Sequence, residues 1–321
     1  MKLWKLIATV LALTLAPVLQ AQTFPDRTVR LVVPYGAGGN FDIIGRLLAQ
    51  HLSERWGKPV VVDNKAGANG NVGTADVSRA APDGYTLVLA SNGTTAINPA
   101  LYATMPFDPL KGLTAITVVT TNPMVLVVNK AFPANTIQEF VAYARANPGK
   151  VNLANGGNGT LSHLSAEMLK KQSGINVVLV PYKATSAAVT GLLGGEVQGM
   201  FDTISTSIPL MESGQVRALA VTSPGRFPQR PDLPTVAEAG VKDYSAEAKS
   251  GLLGPPGMPR ALVEQIHRDV VAVLQKPEVR QKLTSMGVIP LGSTPEEFSA
   301  DLRAELARWG EIVRASSAKL Q

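Results

Sequence analysis

Short apolar runs alternate with amphipathic runs along the chain after residue 23. The short runs are typical of buried strands, whereas apolar residues spaced three and four apart indicate helices. The pattern predicts strands over residues 29–33, 60–63, 86–90, 115–119, 125–128, 151–154, 177–180, 199–201 and 218–222. It predicts helices over residues 43–56, 72–79, 137–147, 161–172 and 186–193. Such alternation favours an α/β fold with mainly parallel sheets and helices on both faces.

The last quarter of the chain follows another pattern, because its amphipathic runs have no strand-like runs between them. Helices are predicted over residues 259–274, 277–286 and 295–313. Ser293 or Thr294 is a suitable cap for the last of these helices. The three helices are expected to pack on a sheet formed by the preceding chain.

Two extended segments predict crossings between two lobes. They are residues 118–129, interrupted by Thr121-Asn122-Pro123, and residues 244–255. Two crossings imply that the first lobe comprises residues 22–124 and 251–321, and the second lobe residues 125–250. A cleft between two such domains is a common ligand site.

The N-terminus predicts an export signal over residues 1–21. Lys2 and Lys5 accompany an apolar run that is too short for a comfortable membrane span. Cleavage is expected after Ala21, with an uncleaved anchor as the alternative. The chain has no cysteine, which excludes disulfides, thiolate metal sites and a lipid-modified cysteine. A soluble protein of the bacterial periplasm is therefore expected. The protein is also expected to be a monomer.

Charge and composition narrow the function further. The formal net charge is +6, or +6 − 2 = +4 without Lys2 and Lys5. Basic residues are scattered and form no stripe with aromatic residues, which disfavours nucleic-acid binding. His51, His163 and His267 lie far apart, so no metal spacing exists. We expect neither a metal nor a cofactor.

The first candidate site is the stretch Tyr35-Gly36-Ala37-Gly38-Gly39-Asn40-Phe41-Asp42, which joins a predicted strand to a predicted helix. Such a loop exposes backbone N–H groups at a helix N-terminus, where the helix dipole favours anions. Glycines allow φ > 0 and close approach of a ligand. The stretch is therefore interpreted as half of a carboxylate site, or alternatively as a tight turn with glycines for packing. Asp42 either contacts the ligand or shapes the loop as a first-turn carboxylate.

A second loop, Asn155-Gly156-Gly157-Asn158-Gly159-Thr160-Leu161-Ser162-His163, repeats this arrangement in the other predicted lobe. Thr160 or Ser162 can instead cap the helix. Two further loops follow strands, at residues 91–95 and at Asp202-Thr203. Ligands of open parallel sheets bind beyond the carboxyl ends of the strands, where all four loops are expected.

Enzyme signatures are weak. The motif G-x-S-x-G, a P-loop and the third glycine of the dinucleotide fingerprint are all absent. Ser162 and His163 are adjacent on a predicted helix and do not face each other, so they do not form a triad. No catalytic residue is assigned.

The motifs together resemble the substrate-binding proteins of tripartite tricarboxylate transporters, the Bug-type receptors. The resemblance runs over nearly all of the chain after residue 21. Its main motifs are Phe24-Pro25-Asp26-Arg27, Val33-Pro34-Tyr35 with Gly38-Gly39 and Asp42, Pro82-Asp83-Gly84-Tyr85, Asn98-Pro99-Ala100-Leu101-Tyr102, Gly159-Thr160 with His163, Val180-Pro181-Tyr182-Lys183, Met200-Phe201-Asp202 and Pro234-Thr235-Val236-Ala237-Glu238-Ala239-Gly240.

This resemblance implies a two-lobed periplasmic receptor of type II, or Venus-flytrap, architecture that closes on a small carboxylate and serves integral-membrane transporter subunits. It implies contacts from backbone amides and ordered waters. The candidate ligand-binding set is Tyr35, Gly38, Gly39, Asp42, Ser91, Thr94, Asn155, Gly159, Thr160, His163 and Asp202.

The chain departs from the family at two positions, Ala184 where glycine is usual and Lys249 where tryptophan is frequent. Lys249 is expected to face solvent, because exposed lysine is the norm. A sensing partner of a membrane histidine kinase and a hydrolase using Ser162 or Thr160 with His163 remain the alternative functions.

Overall fold

A mixed sheet forms the frame of the protein, and the computed structural model describes residues 24–316 of it. The predicted export signal over residues 1–21 lies outside the described residues. The sheet of this described part has ten strands. They are β1 (Val29–Val33), β2 (Val60–Asn64), β3 (Thr86–Ser91), β4 (Thr114–Asn129), β5 (Asn152–Asn155), β6 (Val178–Pro181), β7 (Gly199–Thr203), β8 (Val216–Val221), β9 (Glu247–Gly254) and β10 (Ile289–Pro290).

The helices lie within a few residues of the predicted ones, apart from two that the pattern missed, at Asn98–Leu101 and Ile204–Glu212. Pro209 lies inside the second of these and obscures its helical pattern. Side chains of Thr160 and Thr294 accept the capping hydrogen bonds at the two helix starts where the sequence left a choice, and Thr136 caps the helix that begins at Ile137. The helices are α1 (Asn40–Trp56), α2 (Asn71–Ser78), α3 (Asn98–Leu101), α4 (Ile137–Ala146), α5 (Leu161–Ser173), α6 (Thr185–Gly194), α7 (Ile204–Glu212), α8 (Arg260–Leu274), α9 (Pro277–Ser285) and α10 (Pro295–Ala315).

The strand order is β2-β1-β3-β9-β4-β7-β5-β6, and β8 and β10 also pair with β4. Pairs β1–β2, β1–β3, β5–β6 and β5–β7 are parallel, whereas β9 and β4 run antiparallel to their neighbours. The predicted interruption at residues 121–123 is wrong, because these residues pair in register with Lys249, Ala248 and Glu247. One strand of 16 residues therefore replaces two predicted strands.

Apolar side chains cover both faces of the sheet in each lobe. Along the second half of β4, Val125 and Val127 pack in one hydrophobic cluster, and Leu126 and Val128 pack in the cluster on the opposite face. This is the alternation that a strand buried on both sides requires.

The last helix, α10, connects the two lobes. Phe298, near its start, packs in a cluster with Val32 and Val88 of the first lobe. Trp309, near its end, packs in a cluster with Leu164 of the second lobe. We propose the lobe boundaries predicted above, with the last turns of α10 reaching into the second lobe.

Candidate functional site

A cavity of about 350 Å³ lies where loops from both halves of the sheet meet. Its walls include Tyr35 and Phe41 from the first predicted loop and Gly159 and Thr160 from the second. No aspartate, glutamate, lysine, arginine or histidine is among its described lining residues. The complete lining is Tyr35, Phe41, Asn69, Ser91, Asn92, Gly93, Ile97, Asn98, Leu101, Asn158, Gly159, Thr160, Leu161 and Ala248.

Two larger grooves, of about 650 and 450 Å³, lie elsewhere. The first is formed by α4, the end of α5 and residues 239–243, and the second by the starts of α8 and α10 with residues 113–115. Neither groove includes a residue of the four predicted loops. Size alone therefore does not identify the site, and the cavity at the strand ends is the better candidate.

The predicted site residues fall into two groups. Tyr35, Ser91, Gly159 and Thr160 line the cavity. The other predicted residues lie outside the lining: Gly38 and Gly39 in the exposed turn between Tyr35 and Phe41, and Asp42, Thr94, Asn155, His163 and Asp202 in buried positions. Ligand contact by any of these residues remains a prediction.

Asp42 anchors the first loop. Its carboxylate accepts hydrogen bonds from Gly38 N (2.8 Å), Arg46 Nε (3.0 Å) and Asn64 Nδ2 (2.9 Å). The guanidinium of Arg46 and the N–H of Gly38 hold the pKa of Asp42 at about 2, despite the opposing effect of burial. Asp42 thus stays ionised and holds Gly38 in its left-handed conformation, with φ of 83°. This geometry matches the loop-shaping alternative.

Helix α1 begins beside the cavity without a side-chain cap. Its N-cap residue is Gly39, which forms no side-chain capping hydrogen bond. The N–H groups of the first helical turn have no partner within their own helix and carry the positive end of the helix dipole. Phe41, in that turn, lines the cavity. The start of α1 therefore keeps backbone donors that its own helix does not satisfy, and the carboxylate of that turn, Asp42, is itself paired with Arg46.

The second loop is anchored in the same way by His163. Gly159 N donates to His163 Nδ1 (3.1 Å), and His163 N donates to Thr160 Oγ1 (3.3 Å). Burial lowers the pKa of His163, so its ring is neutral and Nδ1 accepts. Ser162 Oγ donates to the carbonyl of Phe201 (2.5 Å). Ser162 and His163 thus have different partners, and they do not form a nucleophile–base pair.

Hydroxyl groups form a bonded cluster in the wall of the first lobe. Tyr35 Oη donates to Ser91 Oγ (2.6 Å) and lies 2.7 Å from Thr94 Oγ1. Thr94 Oγ1 donates to the carbonyl of Asn69 (2.7 Å). Burial raises the pKa of Tyr35, so the phenol remains protonated. The cluster fixes the tyrosine ring against the cavity.

The loop at residues 67–70 was not predicted from the sequence to be part of the site. Its four residues, Gly67, Ala68, Asn69 and Gly70, all have positive φ. Such a backbone is strained at Ala68 and Asn69, and strain of this kind concentrates at functional sites. Asn69 lines the cavity, and its carbonyl accepts a hydrogen bond from Asn98 Nδ2 (3.1 Å). The position of this loop beyond the carboxyl end of β2 was the signal that could have identified it.

Asn155 and Asp202 each keep one buried polar atom without a partner among the described residues. Asn155 Oδ1 accepts from Gly157 N, but Asn155 Nδ2 has no partner. Asp202 Oδ2 accepts from Thr206 and Ser207, but Asp202 Oδ1 has none. Buried polar groups in this situation usually bind water or a ligand. The two residues lie at the ends of adjacent strands, β5 and β7.

Lys249 is not solvated, contrary to expectation. Its side chain is 16% exposed, and its ammonium lies 2.6 Å from Asp301 and 3.2 Å from Glu305. Burial acts to lower the pKa of Lys249, but the carboxylates of Glu305 and Asp301 outweigh it and raise the pKa. Glu305 also accepts from Asn92 Nδ2 (3.0 Å), and Asn92 lines the cavity. Lys249 therefore connects β9 and α10 to the cavity wall.

Within residues 24–316 no helix is long and apolar enough to cross a membrane. The same part of the chain contains no group of three or more histidine, cysteine, aspartate or glutamate side chains arranged to hold a metal ion.

Comparisons with protein families, with known sequences and with solved structures all lead to the same family of receptors. A family described as "Tripartite tricarboxylate transporter family receptor" matches residues 44–317. Protein BugT of Bordetella pertussis is 33% identical over 307 residues, which cover 95% of this chain and 94% of BugT.

Two solved structures are similar over their full length. R. palustris Rpa4515 with adipate has 34% identity and a TM-score of 0.74, covering 92% of this chain and 100% of that chain. MatC (Rpa3494) from Rhodopseudomonas palustris with bound malate has 32% identity and a TM-score of 0.70, covering 90% and 100%. The predicted two-lobed periplasmic-binding-protein fold and the family resemblance are confirmed.

The hydrogen bonds of the Asp42 carboxylate predict that its contribution to stability is lost in acid. The folded-state pKa of Asp42, about 2, lies below the ordinary value of 3.8. The carboxylate therefore stabilises the fold fully above about pH 4, and this contribution disappears as the pH falls towards 2. Since Arg46 is exposed to solvent, we expect Asp42→Asn to cost about 1 kcal/mol at neutral pH. Urea unfolding of both proteins between pH 7 and 2 measures the difference, and a gap independent of pH would contradict the prediction.

The ion cluster around Lys249 predicts that replacing this lysine with an uncharged residue strongly lowers the free energy of unfolding. Lys249→Met leaves the buried Glu305 carboxylate without its ammonium partner, and we expect a loss of about 3 kcal/mol in the free energy of unfolding. Arg260→Met is the matched control, because the pair between Arg260 and Glu264 is exposed and such pairs contribute about 0.5 kcal/mol or less. Urea unfolding measures both variants. Equal losses would refute a structural role for Lys249.

Proposed function

The chain belongs to the tripartite tricarboxylate transporter receptor family, and we propose that it is a periplasmic receptor for a small carboxylate. On this proposal, the carboxylate binds in the cavity between the two lobes. The receptor then delivers it to the integral-membrane subunits of a transporter, acting as a monomer without a cofactor. The observation that carries the proposal is the meeting of both glycine-containing loops at one uncharged cavity beside the uncapped start of α1.

Backbone geometry supports anion binding without a cationic side chain. The N–H groups at the start of α1 offer fixed donors and the positive end of a helix dipole. Asp42 and His163 hold the two loops in place before the ligand arrives, which reduces the ordering that binding requires. The unpartnered atoms of Asn155 and Asp202, near the ends of β5 and β7, are suited to bind ordered water.

The solved relatives support a carboxylate as ligand, because one is described with adipate and another with malate. The predicted export signal and the family support the periplasm as the location. Binding on this proposal is a population shift, in which the ligand favours the arrangement where both lobes contact it. Enzymatic activity is not proposed, since Ser162 and His163 are each bonded to other groups.

A thermal-shift screen tests the proposal. Purified protein, unfolded and refolded to remove bound small molecules, is screened with monocarboxylates, dicarboxylates and tricarboxylates, and with the corresponding amides as neutral controls. At least one carboxylate should raise the melting temperature in a concentration-dependent manner, and its amide should not. If no carboxylate stabilises the protein, the proposal fails. Delivery is tested separately, by measuring uptake of the active carboxylate after deletion of the gene.

The contact between the lobes provides a sharper prediction. A Cβ added at Gly159 would lie 2.9 Å from Leu101 Cδ1, which belongs to the opposite wall of the cavity. Gly149 has a similar φ, 74° against 78°, but nothing lies within 4 Å of its added Cβ. Gly159→Ala should therefore weaken binding of the active carboxylate by about tenfold or more, which corresponds to about 1.4 kcal/mol.

Gly149→Ala is the matched control, because it carries the same backbone strain without the contact. Its affinity should stay within about twofold of the unmodified protein, as titration calorimetry will measure. Equal weakening in both variants would show that backbone strain, not the contact with Leu101, accounts for the loss.

A further inference from the structure

We infer that the ligand is a monocarboxylate with an apolar, ring-sized body, and that dicarboxylates and tricarboxylates are poor ligands of this cavity. This inference rests on the proposed function and specifies its ligand. Three independent properties of the cavity lead to it: its apolar walls, the number of donors left free, and the charge behind the walls.

The first property is a set of apolar side chains that lies among the polar residues of the lining. The rings of Tyr35 and Phe41 are 4.5 Å apart and tilted by 43°, so they form one aromatic wall. Leu101 and Leu161 contribute aliphatic surface from the two lobes, and Ile97 adds to it. A flat apolar group placed against this surface would be removed from water, which is favourable. A short, highly charged ligand would leave the same surface without a suitable contact.

The second property is that most side-chain amide donors of the wall are already engaged: of the four lining asparagines, only Asn158 has an amide without a hydrogen bond among the described residues. Asn98 Nδ2 donates to the carbonyl of Asn69 and to Asn71 Oδ1. Asn92 Nδ2 donates to the carbonyl of Glu247 and to Glu305 Oε2. These amide donors already serve acceptors of the protein, although they belong to residues of the cavity wall. Additional carboxylates would find few partners there, and an unpaired buried charge is costly.

The starts of helices α1 and α5, which both lie at the cavity, also differ in how many of their N–H donors are already bonded. At α5, Thr160 Oγ1 accepts from His163 N, and Gly159 N is bonded to the His163 ring. At α1, Gly38 N is likewise bonded to the Asp42 carboxylate, but no N-cap side chain binds the N–H groups of the first turn. The two helix starts therefore differ in the N-cap side chain, which satisfies a first-turn N–H at α5 and is missing at α1.

The third property is the absence of net charge behind the walls. Behind Asn92, the carboxylates of Asp301 and Glu305 face the cations of Lys249 and Arg308, so two negative charges meet two positive ones. Beside the first loop, Arg46 is paired with Asp42. No excess of positive charge is thus available to compensate a second or third ligand carboxylate.

Titration calorimetry on the stripped full-length protein tests the inference with four probes: benzoate, phenylacetate, succinate and citrate. Benzoate or phenylacetate should bind at least about tenfold more tightly than succinate and citrate. Phe41→Ser should weaken binding of the aromatic probe by about tenfold, since one face of the aromatic wall is lost. Tyr143→Ser is the matched control, because Tyr143 is an exposed aromatic residue outside the cavity, and it should leave the affinity unchanged.

Each outcome decides one question. Tight succinate or citrate binding, with weak aromatic binding, would overturn the ligand class and leave the carboxylate receptor intact. Binding of none of the four probes, together with no response in the wider carboxylate screen, would overturn the receptor function as well. Aromatic binding unaffected by Phe41→Ser would refute the aromatic wall. Should Phe41→Ser fail to fold by circular dichroism, Leu161→Ala removes apolar surface from the opposite lobe, with the same expected loss.

Discussion

The antiparallel pairing of β4 and β9 is the constraint on which the remaining structure depends. Strand β4 pairs with β9 over its first ten residues and with β7 and β8 over the rest, so one strand belongs to the sheets of both lobes. The loops at the carboxyl ends of the parallel strands in each lobe consequently approach a common gap. Helix α10 reinforces this junction, because it packs on the first lobe at Phe298 and in the second lobe at Trp309.

The two loops at the gap are built by the same local device. In each, a glycine with positive φ donates its N–H to a side chain four residues later, Asp42 for Gly38 and His163 for Gly159. The acceptor is an anion in the first loop and a neutral ring in the second. Both loops are therefore held by groups that do not line the cavity. The residues that fix the shape of each loop are therefore not the residues that line the cavity. The lining residues can change without loss of the hydrogen bond that holds the loop.

The charges of this region lie one layer behind the cavity. Lys249, Asp301, Glu305 and Arg308 neutralise one another, and their link to the cavity is Asn92, which bonds to Glu305 and to the backbone of β9. Since the described lining itself holds no charged side chain, the polar groups that face the cavity are neutral side chains and backbone groups. This arrangement suits the reversible binding that we propose, because a site built around a buried cation would be left with an unpaired charge when its ligand leaves.

The sequence by itself determined most of the elements, the alternation of strands and helices, the family, and three of the loops that line the cavity, with Tyr35, Ser91, Gly159 and Thr160. These features depend on local spacing and on motifs along the chain, which a linear pattern records. Only the tertiary structure decided that β4 is continuous through Pro123, that Lys249 is buried in an ion cluster, and that Asn69 lines the cavity. Each of these depends on partners far away along the chain, such as Glu247, Asp301 and Asn98. Pairing across such distances arises from packing in three dimensions, which periodicity and composition do not encode.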